Sequence, residues 1–362
     1  MPSSAQREML DRLDAEREIH DRHRNLLVAV PGTGKTVMSA FDYRRLREKH
    51  QRDLRLLFVA DRIELLDQAS QVYEDVLLHP GFGESLYGGA VPAGWNHVFA
   101  TVQSLGRHVG ELAPDHFDVI VIDEFRGAAT PTYRRILDHF RPLELLGLTA
   151  TPERVNGVNI QDVVFDGRIA AEMRLRDALE SDQLTPLHYF GFGDGTDYRS
   201  LDWRRGEYDG AALSSLLSAD WARARLVLRA VRDTIADPRA MRAVGFCVSV
   251  VHAEFMAQCF RGAGLDAVAL SSRLSHTRRQ AVASSLRAGE LQAVFCVDPL
   301  DEQHPIPEVD TLLLLRPKSS TVGFLQQLSV GLRPPPTRRC SLCSTSSGTT
   351  ARSFASTTSS AP

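Results

Sequence analysis

Apolar, β-branched runs recur along the chain, with apolar residues at helical spacing between them. The runs NLLVAV (25–30), LRLLFVA (54–60), HVFATV (97–102), FDVIVID (117–123) and LLGLTAT (145–151) are continuous rather than alternating. Strands buried on both faces read this way. Between them lie VMSAFDYRRLREKH, ELLDQASQVYEDVLL and TYRRILDHF, each with the period of a helix. This rhythm predicts a βαβα unit with a doubly wound parallel sheet. A second series follows: AVGFCVSV (243–250), DAVALS (266–271), LQAVFCV (291–297) and TLLLLR (311–316), with helical patterns at 252–262 and 275–289. Two α/β lobes are therefore expected. The segment FDGRIAAEMRLRDALES reads as a strand and helix opening the second lobe. A polar stretch around GDGTDYRSLDWRRGEYDG and a charged helix, DWARARLVLRAVRDTIA, precede the second series.

Composition changes this picture little. The 362 residues are 43% hydrophobic and 24% charged, with a net charge of −3, ample for two cores. The charge gives no global basic signal, although a local patch could still bind nucleic acid. The five cysteines make no disulfide framework, and CSLC at 340–343 lacks the second pair of a zinc site. The N-terminus is polar, and no run approaches the roughly 18 apolar residues of a membrane span, so a cytoplasmic location is expected. After Arg333 the chain turns Ser/Thr/Pro-rich and nearly free of apolar residues, a composition that predicts no packed element.

Chemistry enters with AVPGTGKT. Gly32 and Gly34 permit a tight turn with inward-pointing backbone N–H groups, and the following helix adds its positive end. Pro31 and Thr33 complete the turn, Lys35 can reach β/γ-phosphates, and the Thr36 hydroxyl can hold Mg²⁺. The full pattern wants glycine at 29, where Ala29 stands. Asp123 and Glu124 end an apolar strand of the same lobe. One carboxylate there can hold Mg²⁺, and the next can orient or deprotonate an attacking water. Thr149 and Thr151 follow another strand and could link the phosphate site to a neighbouring lobe.

With these residues together, the chain resembles a superfamily-2 DEAD/DEAH-type helicase, of the bacterial group related to type III restriction enzyme motor subunits. The likeness runs from residue 6 to about 328. It implies two RecA-like doubly wound parallel-sheet lobes, ATP and Mg²⁺ in the cleft between them, and ATP hydrolysis coupled to movement on DNA or RNA. The implied divisions are a first lobe at 1–152, an inter-lobe segment with the start of the second lobe at 153–240, an incomplete second lobe at 241–333, and a tail at 334–362. By the same resemblance Gln6 reads adenine. Arg62, Thr101, Gln103 and Ser104 touch the nucleic-acid backbone. Thr149, Thr151 and Gln326 couple the two activities, and Arg333 stands as the second of the family's two catalytic arginines, the first being the finger on the γ-phosphate. Backbone contacts read no sequence, which suits a motor that accepts any strand. DNA is the expected partner, with RNA the alternative and any nuclease or restriction/repair activity on a separate chain.

The departures cluster at the working parts. Ser329 and Val330 stand where the family has Gly-Arg, and Gln303 and Pro305 fall in its Gly-x-Asp region. DEFRG replaces DEFHH, and Asp61 replaces a histidine. The tail also reads as an out-of-frame segment. GC-rich codons for KAVLTVLDFV, a final strand of the sort this family carries, give RRCSLCSTSS when read one base later. A frameshift shortly after Arg333 would cost the second lobe its last strand and expose a sheet edge. Two readings stay open: an active ATP-dependent translocase or helicase, and an ATP-binding remnant without strand separation. A phosphate-loop NTPase with a non-nucleic-acid partner fits TVQSL and TATPER less well.

Overall fold

The continuous apolar runs of the first half become neighbouring strands of one parallel sheet. The computed structural model describes residues 1–123, 131–150, 164–204, 207–271, 274–297, 309–317, 321–328, 330–332 and 340–346. Its two units are Met1–Gln183 and Leu184–Pro362.

In the first unit the described elements are α1 (Ser4–Glu18), β1 (Arg24–Ala29), α2 (Lys35–His50), β2 (Leu56–Ala60), α3 (Ile63–Leu77), β3 (Glu84–Leu86), β4 (His97–Thr101), α4 (Val102–His108), β5 (Val119–Ile122), α5 (Pro131–His139), β6 (Glu144–Thr149), β7 (Ala171–Met173) and α6 (Leu175–Glu180). The strand order is β3-β4-β2-β5-β6-β1-β7, with every described pair parallel. Every residue of β2, β5 and β6 is buried, which is why these segments read as unbroken apolar runs. Leu57, Val59, Ile120, Ile122 and Leu145 pack with Leu26, Tyr133 and Phe165 into one core. Each fully buried aliphatic side chain contributes roughly 1.5–3 kcal/mol.

The segment expected to open the second lobe lies in the first unit instead. β7 pairs with β1 from Leu27↔Ala171 to Ala29↔Met173, and the Val30 N–H donates to the Met173 carbonyl at 3.3 Å. Without β7, one side of β1 would present unpaired backbone groups at the edge of the sheet. Pairing with β1 decides the matter over position in the chain.

The second unit contains β8 (Leu187–Gly193), β9 (Trp203–Arg204), β10 (Glu207–Tyr208), α7 (Gly210–Leu217), α8 (Trp221–Thr234), β11 (Ala243–Phe246), α9 (Val250–Gly262), β12 (Ala267–Leu270), α10 (His276–Ala288), β13 (Ala293–Cys296), β14 (Thr311–Leu314), α11 (Thr321–Leu328) and β15 (Cys340–Ser346). The large sheet has the order β12-β13-β11-β14-β15-β8, again parallel throughout, while β9 and β10 pair as a small antiparallel ribbon. One buried ion pair braces it. The Arg223 Nε donates to Asp194 at 2.7 Å and its Nη2 to the Leu315 carbonyl at 2.8 Å. This joins α8 to the segments just after β8 and β14.

The expectation that the tail forms no packed element, and leaves a sheet edge open, is corrected by β15. Cys340–Ser346 pairs with β14 from Thr311↔Ser341 to Leu314↔Ser344, and with β8 along all seven of its residues. Backbone N–H and C=O groups pair whatever side chains they carry, so a polar segment can complete a ladder that its composition does not announce.

Candidate nucleotide-binding site

The phosphate loop leaves β1 at its carboxyl end and enters α2. Gly32 (φ 92°) and Gly34 (φ 83°) both take the left-handed conformation, which glycine adopts at least cost. A side chain at Gly34 would also meet the Gln6 amide, since a Cβ there would lie 2.7 Å from its Nε2. Ala29 is the last residue of β1, fully buried and outside the positive-φ set. The missing glycine is therefore tolerated there. The loop is braced from inside: the Thr33 hydroxyl donates to the Val30 carbonyl at 2.7 Å. The first helical bond of α2 runs from the Met38 N–H to the Gly34 carbonyl, at 2.8 Å. The N–H groups of Lys35, Thr36 and Val37 precede it in the first turn, where a helix has no carbonyl partner for them and an anion is favoured.

The candidate side chains surround this turn. The Lys35 ammonium folds back onto the Ala29 carbonyl at 3.1 Å. Thr36 is half-buried. Gln6, in the first turn of α1, closes a capping box with Ser3: its Oε1 accepts from the Ser3 N–H at 3.0 Å, and its own N–H donates to the Ser3 hydroxyl at 3.2 Å. Its Nε2 donates to the Thr33 carbonyl at 3.0 Å. A residue that could have been a solvated helix position instead ties α1 to the phosphate loop.

Strand order brings the rest to the same edge. β6 lies beside β1, and β5 beside β6. Asp123 follows β5 with its carboxylate buried, and its N–H donates to the Val59 carbonyl at 2.9 Å. The ends of β1 and β5 are two strand spacings apart, about 10 Å. Thr149, buried, ends β6 between them. A hydroxyl and a carboxylate are the hard oxygen donors that Mg²⁺ takes, so the donor set fits that ion. Glu124, Thr151 and Arg333 lie outside the described residues. Gln326 sits half-buried on α11, in the other unit.

Residues 1–154 match the family described as type III restriction enzyme, res subunit. An endonuclease subunit of the type I restriction enzyme EcoAI from Escherichia coli is 29% identical over 258 residues, covering 65% of this chain and 31% of that protein. The chain is thus similar to restriction-enzyme subunits, over residues 1–154 in the family match and over 258 residues in the EcoAI protein. Solved structures share the fold. The ATP-dependent type ISP restriction-modification enzyme LlaBIII, solved bound to DNA, superposes with a TM-score of 0.67 at 15% identity, over 94% of this chain and 27% of that one. The helicase domain of Hef from Pyrococcus furiosus gives 0.60 at 14% identity, over 95% of both chains. The chain spans between 31% and 62% of the length of the curated relatives it matches.

The remaining candidates of the first unit end neighbouring strands at the same edge. Arg62 is exposed and caps α3 just after β2. Thr101 ends β4 and caps α4: its hydroxyl accepts from the Ser104 N–H at 3.2 Å and donates to the Ser104 hydroxyl at 2.9 Å. Gln103 is exposed on that turn. Asp61, the carboxylate in the family's histidine position, accepts from the Tyr133 hydroxyl at 3.1 Å. Open sheets of this kind take ligands outside the carboxyl ends of their strands.

Sequence patterns did not disclose a buried cluster beneath this site. Arg17 of α1 donates from Nη1 and Nη2 to both oxygens of Asp42 on α2, at 2.7 and 2.8 Å. Its Nε donates to Glu144 at the start of β6, at 2.9 Å. The other Glu144 oxygen lies 2.7 Å from His23 Nδ1. Desolvation alone would lower the Arg17 pKa, but Asp42 and then Glu144 raise it. The Glu144 hydrogen bond is the first cause that lifts His23 above its ordinary value. The one available signal was Asp42, a carboxylate set within the apolar stripe of SAFDYRRL.

Proposed function

We propose that the chain is an ATP-driven motor on nucleic acid, using Mg²⁺ and contacting DNA, or alternatively RNA, through its backbone. The observation that supports this most is the shared edge of the first sheet. The phosphate loop, Thr149 and Asp123 end three adjacent strands in the order β1, β6, β5. In this reading the N–H groups at 32–36 and the Lys35 ammonium hold the triphosphate. Thr36 and Asp123 hold the metal, which would supply charge neutralisation on the phosphates. Glu124 orients water, Gln6 faces adenine, and Arg333 serves as the remaining catalytic arginine. Arg62, Thr101, Gln103 and Ser104 lie along the nucleic-acid strand, and Thr149, Thr151 and Gln326 connect the two activities. A nuclease or restriction/repair partner on another chain would complete the system. The test is ATP hydrolysis with and without single- and double-stranded DNA. Stimulation by DNA that is lost in Lys35→Ala supports the proposal, and unchanged turnover in that variant contradicts it.

Val330 favours a second reading, in which nucleotide is held but turned over poorly. An aliphatic side chain offers no donor to a phosphoryl group, and such a missing arginine costs about 10³–10⁵ in rate elsewhere. Nucleotide binding without turnover, restored by Val330→Arg, is the signature of that state.

A further inference from the structure

We propose that Arg17 is a positioning residue for nucleotide recognition: by clamping the far end of α1 to α2 and β6, it sets where Gln6 stands over the phosphate loop. The inference rests on the proposed reading of Gln6 and residues 31–36 as the nucleotide site. α1 is held at both ends. Near its start the Gln6 amide reaches the Thr33 carbonyl. Eleven residues on, about 16 Å along the axis, Arg17 is gripped by Asp42 and Glu144.

The geometry makes this clamp directional. A planar guanidinium with both Nη atoms on one carboxylate and Nε on another fixes translation along α1 and rotation about it together. An apolar contact of Met9, Leu10 and Leu13, which also bury here, tolerates sliding far better. The partners are the elements that carry the site. Asp42 lies seven residues after Lys35 on the helix that the phosphate loop opens, and Glu144 begins the strand that ends at Thr149. One side chain thus ties together the three elements that present Gln6, the loop and Thr149. A purely stabilising role would not require this choice, because buried ion pairs exchange for apolar residues at little cost.

Two variants test the idea in the full chain, beside Gln6→Ala. Arg17→Lys keeps the charge and loses the fork. The triple change Arg17→Gln, Asp42→Asn and Glu144→Gln removes all three charges together and leaves no carboxylate unpaired. Hydrogen exchange without nucleotide is read over 4–13 and 31–41, and binding of fluorescent ATP and GTP is read separately. We expect roughly tenfold faster exchange at the Gln6 and Met38 amides in both variants. ATP-over-GTP preference should fall to the Gln6→Ala level, while melting stays cooperative. Unchanged exchange in both segments overturns the inference. So does loss of cooperative melting in both variants, because Arg17 would then serve the fold as a whole. If the unaltered chain binds neither nucleotide, the proposed nucleotide site fails, while the exchange result still decides whether Arg17 governs Gln6 and the loop.

Discussion

Lys35 carries the most chemistry per atom. Its ammonium now rests on the Ala29 carbonyl, a contact a phosphate would replace. Lys35→Ala should weaken Mg·ATP binding by the worth of one charge-assisted hydrogen bond, about 1.5–3 kcal/mol, roughly 10- to 100-fold. Isothermal calorimetry reads this directly. Two histidines should act on stability in opposite pH windows. His23 titrates above its ordinary 6.5 because of its Glu144 bond first, and Asp21 also raises it. The protonated form is therefore favoured by folding. Its contribution is complete below about pH 6.5 and fades as pH rises through the folded value. Melting of His23→Gln should show a flatter decline as pH rises above about 6.5. His252 is fully buried on α9, and desolvation, then Arg223, pushes it down to about 3. Its Nδ1 accepts from the Val248 N–H at 3.3 Å, so the neutral ring is what folding needs. Its contribution is complete above about 6.5 and is lost as pH falls towards 3. His252→Asn, which can keep an acceptor in place of Nδ1, should flatten the acid limb of the melting profile.

At the scale of elements, the strands that carry the site were legible because both faces of the sheet are covered. Unbroken apolar runs and the glycines of the loop announced β1, β2, β4, β5 and β6 to within about two residues at either end. β7 was read as a strand but assigned to the wrong unit, and β15 was not expected, because backbone pairing gives no compositional signal. Neither did the pattern show that α1 is tied to the loop, since the N-terminal stretch holding Ser3, Gln6 and Arg17 read only as polar. β15 gives a direct test. Leu342 pairs with Leu312 on one side and Tyr189 on the other. Leu342→Pro removes a ladder donor between two neighbours, leaves a carbonyl unpaired, and should cost roughly 1–3 kcal/mol. That should lower the melting midpoint of the second unit by several degrees. An unchanged midpoint would mean that this strand contributes no ladder stability.

For the whole molecule, the fold and the likeness to restriction-enzyme subunits were readable from a few fixed spacings: glycines, lysine and threonine after β1, and an aspartate after β5. The division of the chain was not, because pairing across a sheet, rather than order along the chain, assigns 171–183 to the first unit. In the proposed reading, turnover depends on residues where the chain departs from the family pattern, Val330 among them. If Val330 is the main defect, Val330→Arg should raise DNA-stimulated hydrolysis by about 10³ or more, measured as phosphate release under saturating DNA. No change on that substitution would place the impairment elsewhere or show that none exists. The most direct measurement is calorimetric titration of the folded full chain with Mg·ATP, beside Lys35→Ala. Saturable binding that the substitution weakens at least tenfold is the predicted result. No heat and no thermal shift at millimolar nucleotide, in a sample that still melts cooperatively, would contradict the proposal that this loop holds a triphosphate.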